Sequence, residues 1–272
     1  MNRKRIIWSL ILIPVVYVFI LWGGFAFFIF ISGLLIGGIL EFYKMCEDNK
    51  IPVVKWWGIV ITMGLLINTY VITRGEMPSF STDLASPLIS LSVMGILVIL
   101  LFKRDLKSSI LSGGATIFGI FYISWLGIHA ILLREIKPFG FEFTLSAVIA
   151  TWVSDTGAFY VGKGLGKKKL HIASPKKSRA GAVGSIIFGM IAMIILKYIF
   201  NLYFIELYYM AVLGALVGAM AVIGDLSESI IKRNLGKKDS GKFLPGHGGI
   251  LDRIDSIIFT VPIVYYFFKL IR

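Results

Sequence analysis

Five acidic residues in the second half of the chain lie within or at the edge of apolar segments. They are Asp155, Asp225, Glu228, Asp252 and Asp255. A carboxylate at membrane depth costs on the order of 2.5–3.5 kcal/mol even on a lenient insertion scale, so each needs a cation, a metal ion or a water-filled cavity. Five such acids together predict a polar cavity.

Four of these acids form two pairs, each with a spacing of three residues, which places both members on one face of a helix. Asp225 and Glu228 end one apolar segment, and Asp252 and Asp255 begin the next. Both pairs are therefore expected at the same membrane face. A single acid such as Asp252 could instead cap a helix N-terminus, but capping does not require two pairs at adjacent helix ends.

The acids suggest a particular kind of metal. Mg²⁺ uses one or two carboxylates together with waters and substrate phosphates, whereas zinc would require more nitrogen or sulfur ligands. Cys46 is the only cysteine, so the chain can form neither an internal disulfide nor a cysteine metal cluster. Magnesium is the ion that this set of residues favours.

Basic residues stand between the acidic pairs and in a second polar interval. They are Lys232, Arg233, Lys237, Lys238, Lys242 and Arg253 in the first, and Lys167, Lys168, Lys169, Lys176, Lys177 and Arg179 in the second. Such clusters bind phosphates through charge-assisted hydrogen bonds, although cytoplasmic loops also carry a basic excess. Lys232, Arg233 and Arg253 flank the acids directly, which favours the phosphate-binding role for these three.

A glycine-rich stretch surrounds one of the three histidines. Gly241, Gly246, Gly248 and Gly249 lie around Pro245 and His247. Glycines let a backbone approach a phosphate closely. The histidine could bind a phosphate, orient an aspartate or move a proton, and these alternatives stay open.

Composition shows which elements must position these residues. The chain is 57% hydrophobic and 16% charged, with a mean hydropathy of +0.85, which predicts an all-α polytopic membrane protein. About nine spans are expected, near residues 6–21, 24–41, 56–73, 86–102, 109–133, 141–162, 182–200, 207–228 and 251–270.

The distribution of basic residues predicts the orientation of these spans. With nine spans, 22 of the 28 Lys and Arg residues fall on one side, in the N-terminus and in the loops near 42–55, 103–108, 163–181 and 229–253. Cytoplasmic segments carry such an excess, so we expect a cytoplasmic N-terminus, an external C-terminus and an active site at the cytoplasmic face. The net charge of +13 then reflects topology and attraction to anionic lipids, and nucleic-acid binding is not expected.

The simplest domain organisation is one integral membrane domain over residues 1–272. Residues 1–133 keep their acids in loops and are expected to form a scaffold, and residues 134–272 to supply the catalytic helices and two basic cytoplasmic loops. Glycine spacings such as Gly214 to Gly218 favour close helix packing within the chain over packing across a dimer.

Two blocks of sequence carry a family resemblance. The order S-x-x-K-R, K-D-x-G and P-G-H-G-G-I-L-D-R-I-D, from Ser229 to Asp255, resembles the signature of the phosphatidate cytidylyltransferase (CDP-diacylglycerol synthase) family. A second block comprises SDTGAFYVGK at 154–163, GKKKL at 166–170 and SPKK at 174–177. This block departs from the family pattern after SPKK, because Ala180 stands where the family has an acid.

The resemblance implies transfer of a cytidylyl group from CTP to phosphatidic acid in the cytoplasmic (inner) membrane. It implies catalytic roles for Asp225, Asp252, Asp255, Lys232, Arg233 and His247, and substrate-binding roles for Lys238, Asp239, Gly248, Gly249, Arg253, Ser174, Lys176 and Lys177. Asp225, Asp252 and Asp255 are expected to bind Mg²⁺, with Asp155 and Glu228 as further candidates and a second cation as an option. A homodimer is also a family-based expectation.

Other functions compete with this one. A polyprenol or lipid kinase would transfer a terminal phosphate and release a nucleoside diphosphate in place of pyrophosphate. An ion-coupled transporter would explain the intramembrane acids as ion sites, but it would leave the basic, glycine-rich interval unexplained.

Overall fold

The computed structural model describes residues 3–74, 84–102, 108–241 and 248–271, with side chains from residue 11 onwards. Its helices are α1 (Arg3–Trp22), α2 (Gly24–Asp48), α3 (Lys55–Arg74), α4 (Ala85–Leu101), α5 (Ser109–Gly119), α6 (His129–Arg134), α7 (Gly140–Leu165), α8 (Arg179–Ile199), α9 (Leu207–Asn234) and α10 (Leu251–Ile271). A π-helical segment, Ile120–Trp125, follows α5, and strands β1 (Lys169–His171) and β2 (Ser174–Ser178) precede α8. The all-α expectation is therefore confirmed apart from one short hairpin.

Among the residues that the structure describes, six helical stretches are long and apolar enough to cross a membrane. They are α2, α3, the stretch Ser109–Arg134, α8, α9 and α10, and shorter apolar helices cover Ile11–Trp22 and Ala85–Leu101. The protein is thus an integral membrane protein, and the count of about nine spans stays a prediction.

Two helices extend further than the apolar pattern indicates. α2 continues to Asp48 and α9 to Asn234. Neither extension contains Gly or Pro, and a left-handed residue follows each helix end, at Lys50 (φ 59°) and at Gly236 (φ 64°). The expectation that all acids before residue 134 lie in loops is therefore wrong for Glu41, Glu47 and Asp48, which all belong to α2. Lys232 belongs to α9 instead of the predicted loop.

One compact unit comprises Met1–Glu135 together with Leu235–Asp252. Buried polar contacts join its elements: the Tyr43 hydroxyl donates to the Thr116 carbonyl at 2.8 Å, and the Val54 amide donates to the Thr116 hydroxyl at 2.9 Å. The Arg134 guanidinium donates to the Ile20 carbonyl at 2.7 Å, near the end of α1. These hydrogen bonds give the polar groups partners within the protein, which the hydrocarbon of a membrane could not provide.

The other compact unit comprises Ile136–Asn234 together with Arg253–Arg272. α8 and α9 approach so closely that a Cβ added at Gly189, Gly214 or Gly218 would collide with the backbone of the facing helix, which confirms close packing within the chain at Gly214 and Gly218. α10 packs in the same unit, where Phe268 stacks on Phe143 with ring centroids 3.6 Å apart. The expectation of a single integral domain stays a prediction.

The hairpin lies in the basic interval between α7 and α8. β1 and β2 are antiparallel, and Lys169 pairs with Ser178. Ser178 also caps α8, because its hydroxyl accepts a hydrogen bond from the Gly181 amide at 3.1 Å. Lys177 therefore directly precedes a residue that both pairs with β1 and caps α8, in an interval that the sequence predicts as a loop.

Candidate active site

Three carboxylates come together in the second unit. Asp225 and Glu228 lie on α9 and Asp255 lies on α10, and one oxygen of each lies within 4.8 Å of the others. Glu228 is fully buried, and the two aspartates are half-buried. These three residues are called the acid cluster below.

The packing of α10 against α9 produces this cluster. The Ser256 hydroxyl donates to the Ala221 carbonyl at 3.3 Å. At Gly224 the helices are so close that a Cβ would collide with the Asp255 carbonyl oxygen. Asp255 is therefore brought to the face of α9 on which the spacing of three residues places Asp225 and Glu228.

Two lysines pair with the acid cluster. Lys232 forms an ion pair with Glu228 one turn earlier on α9, and their side chains are 12% and 1% exposed. Lys177, on β2, forms an ion pair with Asp225, and these side chains are 24% and 37% exposed. Both pairs are sheltered enough that solvent screens them less than a surface pair.

Asp155 adds a fourth carboxylate to this region. It lies on α7 and interacts electrostatically with Asp225 and Lys177. When all of these described residues are ionised, four carboxylates face two ammonium groups, and this excess of negative charge among them favours a further cation.

The acid cluster fits a divalent cation. Oxygen ligands on opposite sides of a Mg²⁺ or Ca²⁺ ion are roughly 4–5 Å apart, which is the scale of the spacing among Asp225, Glu228 and Asp255. The donor set contains only carboxylate oxygens, which hard cations prefer.

Asp252 lies in a different set of contacts, within the first unit. Its Oδ2 accepts hydrogen bonds from the Gly249 amide at 2.7 Å, the Ser240 amide at 2.9 Å and the Ser240 hydroxyl at 3.0 Å. The Ser240 hydroxyl also lies 3.0 Å from Oε2 of Glu41. Glu41, Ser240 and Asp252 are called the loop clamp below. A metal-binding role for Asp252 stays a prediction.

The remaining predicted residues are distributed between the hairpin, the end of α9 and the start of α10. Arg233, Lys238, Asp239, Arg253 and Lys176 are exposed, Ser174 and Gly248 are half-buried, and Gly249 is buried. Gly248 has φ 85°, a conformation that favours glycine. His247 lies outside the described residues.

Sequence reasoning missed Glu41 and Ser240. Glu41 accepts hydrogen bonds from Ser240, Ile250 and Leu251, which are 199, 209 and 210 residues away in the chain. No local pattern predicts such contacts, because Glu41 is simply the last residue of the predicted apolar span 24–41. The only available signal was an acid within a helical turn of a predicted span.

Comparison with known proteins identifies the family. The cytidylyltransferase family matches residues 3–271 of the chain. A phosphatidate cytidylyltransferase of Synechocystis sp. is 31% identical over 100% of this chain and 98% of its own length. Those of Staphylococcus saprophyticus and Bacillus subtilis are 33% and 29% identical, covering 88% and 99% of this chain and 94% and 98% of their own lengths. The chain belongs to the cytidylyltransferase family.

Proposed function

We propose that this protein transfers the cytidylyl group of CTP to phosphatidic acid, giving CDP-diacylglycerol and pyrophosphate in phospholipid biosynthesis. Its family membership and the name shared by the three relatives support this assignment. The observation that carries it is the acid cluster with its two paired lysines. A reaction that joins two polyanions needs both a cation site and positively charged side chains.

The phosphatidate oxygen is the nucleophile in this reaction. It forms a bond to the α-phosphorus of CTP while the bond from that phosphorus to the oxygen bridging the β-phosphate breaks, and pyrophosphate leaves. No serine or cysteine nucleophile is required. The protein has to align the two phosphates and balance their charge, which are tasks that Lys177 and Lys232 can perform.

Asp225, Glu228 and Asp255 would hold Mg²⁺. When bound, the ion supplies positive charge to the phosphate oxygens as the transferred group moves. Lys177 and Lys232 then turn from the carboxylates to the substrate phosphates, since an ammonium group donates equally well to either. Asp155 and Asp252 are proposed as further ligands of the Mg²⁺ ion. A second cation is also proposed.

A cytoplasmic position of the site follows from the same proposal. CTP is a cytoplasmic nucleotide and phosphatidic acid is a membrane lipid, so the reactive groups must meet at the cytoplasmic face of the inner membrane. The position of 22 of the 28 basic residues on one side of nine proposed spans supports this orientation, with the N-terminus inside and the C-terminus outside. A homodimer remains a family-based expectation.

The decisive experiment measures which product receives each labelled phosphate of CTP. Purified protein in detergent is incubated with phosphatidic acid, Mg²⁺ and CTP labelled at either the α- or the γ-phosphate. We expect the α-label in CDP-diacylglycerol and the γ-label in pyrophosphate. Lipid that carries the γ-label would indicate a kinase, and absence of lipid product from the wild-type protein would overturn the proposal.

A matched pair of variants connects this activity to the acid cluster. Asp225→Asn removes one charged ligand, and we expect turnover to fall by at least about a hundredfold. Glu206→Gln removes an exposed acid from the same unit and should leave turnover unchanged. Equal activity of the two variants would contradict the assigned site. Chelation should abolish wild-type activity and added Mg²⁺ should restore it.

A further inference from the structure

The start of α10 receives its N-terminal hydrogen bonds from another helix. The first amide groups of a helix have no partner within it, and Ile250, the residue before α10, has no side-chain acceptor. Oε1 of Glu41 accepts from the Ile250 amide and Oε2 accepts from the Leu251 amide, both at 3.0 Å. A residue of α2 thus supplies the anionic cap that the local sequence lacks.

The Ser240 hydroxyl connects this cap to Asp252. Its oxygen lies 3.0 Å from Oε2 of Glu41 and 3.0 Å from Oδ2 of Asp252. It also accepts a hydrogen bond from the Asp252 amide at 3.3 Å. A hydroxyl has one proton and can donate fully to only one carboxylate at a time. The position of the Glu41 carboxylate therefore influences the position of Asp252.

Two glycines of the polar interval make room for the Glu41 carboxylate. A Cβ at Gly241 would collide with Oε1 of Glu41, and a Cβ at Gly249 would collide with Oε2 and with the Ser240 hydroxyl. Within the part of the chain that the structure describes, both glycines thus have a steric explanation that involves no phosphate. The backbone around Asp252 therefore leaves space for the Glu41 carboxylate.

Neighbouring acids on α2 lack these features. Glu47 pairs with Lys55 at 3.6 Å and Asp48 pairs with Lys237 at 2.8 Å, and the two acidic side chains are 44% and 43% exposed. Exposed pairs of this kind contribute little. The Glu41 carboxylate instead accepts from two backbone amides and a hydroxyl, and such hydrogen bonds to a charged acceptor are about twice as strong as neutral ones.

We propose that Glu41 is a positioning residue for the cytidylyl-transfer reaction: its carboxylate fixes the start of α10 and, through Ser240, orients Asp252. The effect on turnover rests on the proposed function, since it assumes that Asp252 takes part in that reaction. The effect on the loop clamp can be measured without turnover.

Glu41→Gln tests this role with Glu47→Gln as the matched control. Glutamine keeps one acceptor oxygen and places an NH₂ group at the other oxygen position, so it cannot accept from Ile250, Leu251 and Ser240 together. Residue-resolved hydrogen exchange in detergent should show at least about tenfold faster exchange at Ile250 and Leu251. The Ser240 and Gly249 amides should also accelerate, although both donate to Asp252 and neither donates to Glu41.

Kinetics complete the test. Glu41→Gln should lower kcat by about tenfold to a hundredfold and raise the Mg²⁺ concentration required for half-maximal activity. A smaller folded fraction would lower kcat without changing that concentration. Glu47→Gln should alter none of these quantities.

Ser240→Ala provides a second variant in case Glu41→Gln does not fold. It should accelerate exchange at Gly249 and lower kcat while Ile250 and Leu251 stay protected. If only Ile250 and Leu251 respond to Glu41→Gln, or if exchange changes while kcat and the Mg²⁺ requirement do not, the positioning role is overturned. An inactive wild-type protein would overturn the proposed function, and the exchange at Ser240 and Gly249 would still decide whether Glu41 orients Asp252.

Discussion

Lys177 of the short hairpin forms an ion pair with Asp225 of the acid cluster. The hairpin holds this lysine one residue before the Ser178 cap of α8, so its backbone position is well defined. A cation that reaches the cluster from a separate element can leave a carboxylate and contact a phosphate without moving α9. The hairpin therefore gives Lys177 two alternative anionic partners.

Replacing Lys177 should weaken substrate binding. In Lys177→Gln the ammonium group is lost, and charge-assisted bonds to a phosphate cannot form. We expect KM for CTP or phosphatidic acid to rise by about tenfold or more, as measured by steady-state kinetics in mixed micelles. Lys169→Gln, on the exposed strand β1, is the control and should change KM by less than about twofold. Similar kinetics for both variants would contradict the role of Lys177.

Two substitutions at Asp252 distinguish the effect of its negative charge from the effect of its hydrogen bonds with Ser240 and Gly249. Asparagine keeps an oxygen that can accept from Ser240 and Gly249, whereas alanine keeps none. We expect Asp252→Asn to lower kcat by at least about a hundredfold with an unchanged melting temperature, because a neutral amide is a poor Mg²⁺ ligand. Asp252→Ala should also lower the melting temperature. Near-normal turnover of the asparagine variant at all Mg²⁺ concentrations would contradict a metal-binding role. Asp252 would then act only through its hydrogen bonds to Ser240 and Gly249.

The ion pair of Lys232 and Glu228 should have a measurable effect on stability. Glu228 is fully buried, and loss of the lysine in Lys232→Met would leave a buried carboxylate without this cation. We expect a drop in the melting temperature of several degrees in detergent. The double variant Lys232→Met with Glu228→Gln should regain most of that stability, since both charges are removed, but it should stay inactive. Additive losses in the double variant would refute the coupling.

Gly248 should tolerate no side chain. Its φ of 85° is unfavourable for other residues, and a Cβ would collide with Oδ2 of Asp252. We expect Gly248→Ala to destabilise the protein by at least about 1–2 kcal/mol and to reduce turnover. Gly164→Ala, in α7 where a Cβ would meet no atom within 4 Å, should be neutral or slightly stabilising. Thermal melting of the two variants in the same detergent provides the comparison.

The sequence alone determined the class of protein, the approximate positions of its long apolar helices and the family. Long apolar segments must be helical in a membrane, so composition located every helix that contributes to the acid cluster. The spacing of three residues correctly predicted that Asp225 and Glu228 share a face of α9. The family signature is a linear pattern, and it was confirmed by relatives that match nearly the whole chain.

Only the tertiary structure decided which of these residues meet. Asp255 lies with Asp225 and Glu228, Lys177 reaches them from the hairpin, and the loop clamp joins Asp252 to Glu41. Spacing along a helix determines which residues share a face. It does not determine which helix packs against that face, because an apolar surface can contact lipid or any of several other helices. The contact between Glu41 and Leu251, which are 210 residues apart, therefore follows from helix packing and from no local pattern.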